Sequence, residues 1–116
     1  MANMYKVEAN IRPDKFEAVR DALHDIDVTM MTVVECRGSG RLRVPVTTFR
    51  TGRHGDGLTS RVQINIVVSE PYLQPTVDTI QRVANTGAVG DGKIFIIQLM
   101  DVVRIRNNER GSTALS

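Results

Sequence analysis

Apolar and polar residues alternate near the start of the chain and again just past its middle. In residues 4–11 the alternate positions Tyr5, Val7, Ala9 and Ile11 are apolar. In residues 62–68 the alternate positions Val62, Ile64, Ile66 and Val68 are apolar. Successive side chains of a strand point to opposite faces, so a period of two is typical of a strand with one buried face. The pattern therefore predicts two half-buried strands.

A helical spacing of apolar residues follows each of these strands. The first stripe begins three residues after Pro13, which suits the first turn of a helix. It consists of Phe16, Val19, Leu23 and Ile26. The second helix is predicted to open at residues 69–71, and Pro75 leaves open a start one turn later, because proline lacks an N–H. Its stripe consists of Leu73, Val77, Ile80 and Val83 or Ala84.

Two more strands are predicted at residues 30–35 and 93–100, because both segments are rich in β-branched and other apolar residues. Residues 104–106 fit a short strand, and the chain beyond Glu109 is predicted to be frayed. Residues 41–60 show no sustained period. A loop of about 20 residues is uncommon in a compact domain and is usually functional or disordered.

The predicted order is strand–helix–strand, long loop, strand–helix–strand. This order is typical of the α+β ferredoxin-like fold, βαββαβ, in which an antiparallel sheet carries both helices on one face. A chain of 116 residues has room for one domain, so residues 1–116 are interpreted as a single unit. The other sheet face is left bare. A second copy of the chain is its simplest cover, since a chain this short buries only a modest core.

The net charge of +2 hides an uneven distribution of arginine. The chain has 12 arginines and 3 lysines, and six of the arginines lie between residues 37 and 61, where Asp56 is the one acid. The first predicted helix is instead acidic. A guanidinium presents a rigid fork of donors that suits phosphate or carboxylate. The basic segment is therefore either a solvated face or a surface that recognises anions.

Composition argues against several classes of protein. No run of 18 apolar residues exists and no apolar core follows basic residues at the N-terminus, so neither a membrane span nor a secretion signal is expected. Cys36 is the one cysteine, which excludes an internal disulfide framework and favours a reducing, cytoplasmic location. Aromatic residues make up 4% of the chain, and no stacking pair lies on a strand, which argues against nucleic-acid binding.

No arrangement of catalytic residues is evident. His24 lies on the acidic helix, His54 in the basic loop and Cys36 at the end of a strand. Scattered residues of this kind are more often structural or solvent-facing than metal ligands or nucleophiles. The sequence therefore predicts a protein that is not an enzyme and that has no metal site.

Two glycine-rich stretches, residues 38–41 and 87–93, are stronger candidates for a binding site. Neither matches a P-loop, which needs Ser or Thr after the lysine where Ile94 stands, and neither opens a helix as a dinucleotide-binding turn does. Glycine lets backbone N–H groups approach an anion closely. Arg41 and Lys93, one in each stretch, can add positive charge.

A pair of arginines near the C-terminus adds a third cationic group. If residues 104–106 are extended, Arg104 and Arg106 point to the same side, because the side-chain period of a strand is two. A phosphate-bearing ligand could use this pair together with both glycine stretches. Each of these signals is weak when taken alone.

Five segments of the chain resemble the PII family of signal-transduction proteins. They are A-N-I-R-P-D-K at 9–15, M-T-V-V-E at 31–35, G-S-G-R at 38–41, T-G-A-V-G-D-G-K-I-F at 86–95 and V-V-R-I-R-N-N-E-R-G at 102–111. The resemblance spans nearly the whole chain, and the last two segments are close to family signatures. It implies a homotrimer of ferredoxin-like subunits that binds ATP or ADP, with AMP as a further candidate, in the three clefts between subunits.

The resemblance also implies how such a protein signals. A T-loop, at about residues 38–60 of this chain, lies above each cleft and contacts a partner protein, and a C-terminal tail covers about residues 107–116. The family's partners include ammonium transporters and nitrogen-metabolism enzymes. The T-loop residues expected to contact a partner are Arg43, Phe49, Arg50, Arg53 and His54.

Roles for individual nucleotide-binding residues follow from the same resemblance. The phosphates would lie against a turn and against two arginines of the neighbouring subunit; these residues are Gly90, Asp91, Gly92, Lys93, Arg104 and Arg106. The first glycine stretch would contribute Gly38, Gly40 and Arg41. Thr32 and Val67 would line the nucleoside pocket. Arg61 and Arg43 are candidates for holding a small-anion effector.

The chain departs from the family pattern beside the predicted site. Members that sense 2-oxoglutarate have a glutamine just after G-x-G-R, where its amide oxygen helps to hold Mg²⁺; here Leu42 stands there and has no oxygen to offer a hard cation. The tyrosine that many bacteria uridylylate aligns with His54, and the serine phosphorylated in cyanobacterial members aligns with Gly52. Met30 and Ala88 replace the usual glycine and lysine.

Two interpretations follow from these departures. The first is a non-catalytic adenine-nucleotide sensor whose 2-oxoglutarate sensing is lost or altered, whose T-loop recognises a non-standard target, and whose role lies in carbon or bicarbonate metabolism. The alternative is a conventional nitrogen regulator that controls an ammonium transporter or a nitrogen-assimilation enzyme. Mg²⁺ binding stays open in both, and bicarbonate is a candidate effector in the first.

Overall fold

The computed structural model describes residues 3–39 and 57–115. Strand β1 (Met4–Ile11) is followed by a 3₁₀ turn (Pro13–Lys15) and helix α1 (Phe16–Asp25), then by β2 (Thr32–Gly38). The second half consists of β3 (Thr59–Ser69), α2 (Glu70–Ala84) and β4 (Lys93–Leu99), and a 3₁₀ helix (Gly111–Leu115) closes the described part. The predictions for Gly40, Arg41, Leu42, Arg43, Phe49, Arg50, Gly52, Arg53 and His54 lie outside the described residues.

The four strands form one antiparallel sheet in the order β2-β3-β1-β4. The register pairs Val7 with Ile66 on one side and with Ile96 on the other. The apolar residues predicted on β1 and β3 meet in the core, where Ala9, Ile64 and Leu23 are among the fully buried side chains. Both helices pack on this face of the sheet. The α+β ferredoxin-like architecture is therefore confirmed.

The second and third strands differ from their predicted bounds. β2 begins at Thr32 rather than residue 30 and continues to Gly38, because its backbone pairs with β3 from Thr32↔Asn65 to Gly38↔Thr59. β3 likewise starts three residues before the alternating segment. Ladder pairing thus extends β2 through Arg37 and Gly38, residues whose own preferences do not indicate a strand, and extends β3 back to Thr59.

Helix α2 starts at Glu70, so the later start that Pro75 left open is wrong. Pro71 occupies the first turn and Pro75 lies inside the helix. The buried face is also rotated from the predicted stripe, since Thr76, Thr79, Ile80 and Ala84 are buried while the other predicted residues are only partly so. Packing against β1 and β3 outweighs the unfavourable proline, as tertiary contacts often do.

The predicted strand at residues 104–106 is wrong. The N–H of Asn108 donates to the carbonyl of Arg104 at 2.8 Å, and the N–H of Arg104 donates to the carbonyl of Glu109 at 2.9 Å, which closes a turn. Val103 and Arg110 form a single bridge at its base. Residues 110–115 are not frayed either, because Arg110 pairs with Val103 and Gly111–Leu115 form the 3₁₀ helix. Neither helix of the described part is long and apolar enough to cross a membrane.

The face of the sheet that points away from the helices is called the open face below. Amide side chains cross its centre: Gln63 Nε2 donates to Asn10 Oδ1 at 3.1 Å, and Asn65 Nδ2 donates to Gln63 Oε1 at 3.1 Å. Apolar side chains flank them on β2 and β4. Val34, Phe95 and Ile97 are each 43% exposed. Exposed apolar side chains grouped on one face in this way are typical of an interface between proteins.

Candidate functional site

The turn between α2 and β4, residues 86–92, contains three glycines in the left-handed region. Their φ angles are +83° at Gly87, +105° at Gly90 and +98° at Gly92. Glycine adopts such angles without the steric cost that a Cβ brings. The path of this turn therefore depends on glycine at these positions, and the second glycine stretch noted in the sequence is a defined structure.

Asp91 organises the turn from inside. Its carboxylate accepts hydrogen bonds from the hydroxyl of Thr86, from the N–H of Thr86 at 2.8 Å and from the N–H of Gly87 at 3.0 Å. The Thr86 hydroxyl, the Thr86 N–H and the Arg12 guanidinium hold the pKa of this carboxyl well below its ordinary value of 3.8. Asp91 is therefore ionised in the folded protein near neutral pH.

The lowered pKa of Asp91 predicts a component of acid sensitivity. A carboxyl whose pKa is lowered on folding stabilises the protein at pH values above its pKa in the unfolded chain. This stabilisation is lost as the pH falls below 3.8. The Asp91→Asn variant should therefore lose less stability than the wild type between pH 5 and pH 2.5, measured as the urea midpoint. Asp101→Asn is a comparison, since the pKa of Asp101 is also lowered. Parallel curves for wild type and Asp91→Asn would contradict the expectation.

Gly92 fixes the turn against β1. A Cβ built on Gly92 would lie 1.7 Å from the carbonyl oxygen of Asn10, which is far inside contact distance. Only a residue without a side chain can therefore place the turn this close to the strand. Lys93 follows as the first residue of β4, pairs with Asn10 and has an exposed side chain.

Two guanidinium groups converge on Gly90. A Cβ built there would lie 3.1 Å from an Nη of Arg12 and 3.6 Å from an Nη of Arg61. Arg12 donates from Nε to Asp91 at 3.0 Å and from Nη to the carbonyl of Val89 at 3.1 Å. Arg61 donates to the carbonyl of Ser60 and makes no ion pair with an acid in the described ranges. The end of the turn is therefore electropositive and suits an anion.

The structure places the other predicted site residues in separate groups. Gly38 pairs with Thr59 at the end of β2, close along the strands to Arg61. Thr32 and Val67 are exposed and share the open face, where Thr32 stands opposite Asn65. Val67 lies six residues from Arg61 along β3, or about 20 Å. A single chain thus separates the predicted nucleoside contacts from the glycine turn.

Arg104 and Arg106 do not form the paired cationic group that an extended segment would give. Arg104 Nη1 lies 3.0 Å from Glu109 Oε1, and its other Nη donates to the carbonyl of Thr113 at 2.8 Å. Arg106 lies in the turn and is exposed. The two side chains therefore have different surroundings, because the chain reverses direction between Arg104 and Glu109.

Sequence reasoning missed Arg12 and Thr86 as residues of this site. Both contact Asp91, although Arg12 is 79 positions away in the chain. The antiparallel pairing of β1 with β4 brings the residue after Ile11 beside the residues before Lys93. The predicted fold could have indicated this contact, because its first and last strands are neighbours in the sheet.

The fold is a ferredoxin-like domain whose α2–β4 turn combines left-handed glycines with nearby basic side chains. The family model described as "Nitrogen regulatory protein P-II" matches residues 4–109. The nitrogen regulatory protein P-II of Azospirillum brasilense is 36% identical over 112 residues, which cover 97% of this chain and 100% of that protein. Nitrogen regulatory protein P-II 1 of Escherichia coli K12 is 39% identical over the same shares.

Solved structures show the same likeness. Arabidopsis thaliana PII, described as bound to citrate, has a TM-score of 0.77 at 34% identity and covers 97% of this chain and 92% of its own. B. subtilis GlnK has a TM-score of 0.77 at 34% identity and covers 97% and 99%. The chain belongs to the nitrogen regulatory protein P-II family, whose members are signalling proteins rather than enzymes.

Proposed function

We propose that this protein is a non-catalytic sensor of adenine nucleotides that regulates a partner protein through its T-loop, at about residues 38–60. The observation that carries the proposal is the glycine turn around Asp91, because it joins left-handed glycines to basic side chains within the segment that matches the family. The carboxylate of Asp91 is engaged by Thr86, Gly87 and Arg12, so its proposed role at this turn is structural rather than catalytic. The proposed activity is therefore binding, and the proposed location is the cytoplasm.

The glycine turn fits a phosphate group on local chemistry. Gly90, Gly92 and Lys93 offer backbone close to the surface and a positive charge, and Arg61 lies beside them. Bound nucleotide would supply a triphosphate or diphosphate whose charge these groups hold. Thr32, Val67 and Gly38 are proposed to complete the site, together with Gly40 and Arg41.

A homotrimer is proposed because the nucleotide site is divided within one chain. The glycine turn lies beside Arg61, near the start of β3, whereas Val67 lies near the end of that strand, so a cleft between subunits is a simple way to bring such contacts together. The apolar residues of the open face give the contact surface. In this arrangement Arg104 and Arg106 would reach the phosphates bound by a neighbouring subunit.

The proposed effector differs from that of 2-oxoglutarate sensors because of Leu42. A leucine side chain has no oxygen with which to ligate Mg²⁺, so 2-oxoglutarate binding is proposed to be lost or altered. Arg61 and Arg43 retain positive charge for a small anion, and bicarbonate is the proposed candidate. On this basis a role in carbon or bicarbonate metabolism is proposed.

Calorimetry tests the proposal directly. ATP, ADP and AMP are titrated with and without Mg²⁺, and 2-oxoglutarate or bicarbonate is then titrated onto the nucleotide-bound protein. We expect saturable nucleotide binding and little heat from 2-oxoglutarate. Absence of binding by all three nucleotides would disprove nucleotide sensing, and tight Mg²⁺-ATP-dependent binding of 2-oxoglutarate would disprove its loss.

The Leu42→Gln variant should gain affinity for 2-oxoglutarate. The amide oxygen of glutamine supplies the missing ligand for Mg²⁺. We therefore expect the Mg²⁺-ATP-dependent affinity for 2-oxoglutarate to increase at least about tenfold, which is the typical effect of one good polar contact. Leu42→Met is the matched control, because its side chain is long but lacks an amide oxygen. An equal response in both variants, or none in Leu42→Gln, would show that residue 42 does not decide effector choice.

The second candidate function is a conventional nitrogen regulator that controls an ammonium transporter or a nitrogen-assimilation enzyme. The names of the relatives support nitrogen regulation and give no partner. Pull-down from membranes with the full chain, and with residues 41–56 deleted as control, distinguishes the two. Capture of an ammonium transporter that needs the loop would favour the second candidate.

A further inference from the structure

Arg12 links the glycine turn to the rest of the fold. It directly follows β1 and precedes Pro13, and its extended backbone (φ −64°, ψ 138°) starts the 3₁₀ turn before α1. Its side chain contacts two residues of the turn, Val89 and Asp91, which flank Gly90 on either side. The side chain is 30% exposed and that of Asp91 is 21% exposed, so water only partly screens the ion pair.

We propose that Arg12 is a positioning residue that holds the glycine turn in its binding shape and thereby sets the affinity for the phosphate part of a nucleotide. This inference rests on the proposed nucleotide binding and adds a residue to it. Arg12 acts through Asp91 and Val89 rather than by contact with the nucleotide itself.

The geometry of the contact favours arginine. Nε reaches Asp91 Oδ1 at 3.0 Å while an Nη reaches the carbonyl of Val89 at 3.1 Å, so one planar fork restrains two residues. The other hydrogen bonds of Asp91 go to Thr86 and Gly87, which belong to the same turn. Among the described contacts of this carboxylate, the one with Arg12 joins the turn to the end of β1.

The ion pair also decides which charge the turn presents. Nitrogens of Arg12 and Arg61 lie 3.1 Å and 3.6 Å from the same Cβ position built on Gly90, and two uncompensated guanidinium groups this close would repel each other. Asp91 neutralises Arg12 and so removes that repulsion. Arg12 therefore has a structural role in the turn, whereas the positive charge of Arg61 can still interact with an anion.

The first experiment compares wild type with Arg12→Gln, which keeps a polar side chain but loses the charge. Without nucleotide, we expect amide hydrogen exchange in residues 86–92 to become faster. With ligand, we expect affinity for ATP and ADP to fall about tenfold to a hundredfold, as for loss of hydrogen bonds to a charged group, and affinity for adenosine to stay unchanged. Arg12→Lys should restore part of the loss, because an ammonium can reach Asp91 but lacks the second arm.

Two further variants show whether Arg12 acts through Asp91. Arg12→Gln should cause little additional loss of ATP affinity in an Asp91→Asn background, since coupled residues are not additive. Arg20→Gln is the matched control, because Arg20 forms an exposed ion pair with Asp21 on α1, and it should alter neither exchange nor affinity.

Several results would overturn the inference. They are unchanged exchange in residues 86–92, an equal loss of adenosine and ATP affinity, and full additivity with Asp91→Asn. If wild type binds no nucleotide, the proposed function fails, whereas the exchange measurement still decides whether Arg12 positions the turn. The two failures are therefore distinguishable.

Discussion

Gly92→Ala should be among the most damaging single-methyl substitutions in the described chain. Its Cβ would lie 1.7 Å from the carbonyl oxygen of Asn10, and its φ of +98° is strained for any other residue. Backbone strain and overpacking each cost about 1–3 kcal/mol, so we expect a loss of about 2–5 kcal/mol in the free energy of unfolding. Urea denaturation measures this loss. Nucleotide affinity should fall with it, because the turn must move away from β1.

Two other glycines separate the causes of that loss. Gly87→Ala brings a similar strain at φ +83° but meets no atom within 4 Å, so it should cost about 1–3 kcal/mol. Gly38→Ala meets no atom within 4 Å and has no left-handed φ, so it should change stability by less than about 0.5 kcal/mol. If Gly92→Ala proved no worse than Gly87→Ala, the close approach to Asn10 would not matter.

Ile97→Asp should convert the proposed homotrimer, with a mass of about three times 12.9 kDa, into a folded monomer. Ile97 lies on the open face and is 43% exposed in the single chain, so its replacement does not disturb the core. In a trimer each aspartate would be buried without a partner, which costs several kcal/mol per charge. Sedimentation or light scattering gives the mass, and circular dichroism reports whether the monomer is folded.

The adjacent Ile96 provides the control. It is 51% exposed, and the alternation of a strand points it to the other face of β4. Ile96→Asp should therefore remain trimeric. A trimeric Ile97→Asp would show that the open face is not the interface, and a monomeric wild type would refute the homotrimer itself.

The strands and helices could be predicted where apolar periodicity and burial coincide. β1 was predicted at residues 4–11 and spans Met4–Ile11, because one face of the strand is fully covered by helices. The start of α2 could not be predicted from local preferences because of Pro75. Packing of Thr76 and Ile80 in the core determines where the helix runs. The segment around Arg104 looked extended by composition, but backbone hydrogen bonds across a few residues close it into a turn.

The glycine-rich turn could be predicted from composition. Gly90, Gly92 and Lys93 belong to a glycine-rich stretch that the sequence singles out, and both glycines adopt left-handed φ angles in the structure. Arg12 does not stand out, since its role depends on a partner at the far end of the chain. A contact between residues so far apart in the sequence can be predicted only when the strand pairing is known. Strand pairing is a property of the whole sheet rather than of any one segment.

The pairing of Gly38 with Thr59 has a consequence for how the family can diversify. Because β2 and β3 pair at these two residues, the ends of the intervening segment are held together whatever its own sequence is. Closing a longer loop costs little more, about 0.6 kcal/mol for each doubling of its length. The sequence between these two residues can therefore change in length and charge at small thermodynamic cost. Natural selection can alter this segment while the β2–β3 ladder keeps the rest of the sheet intact.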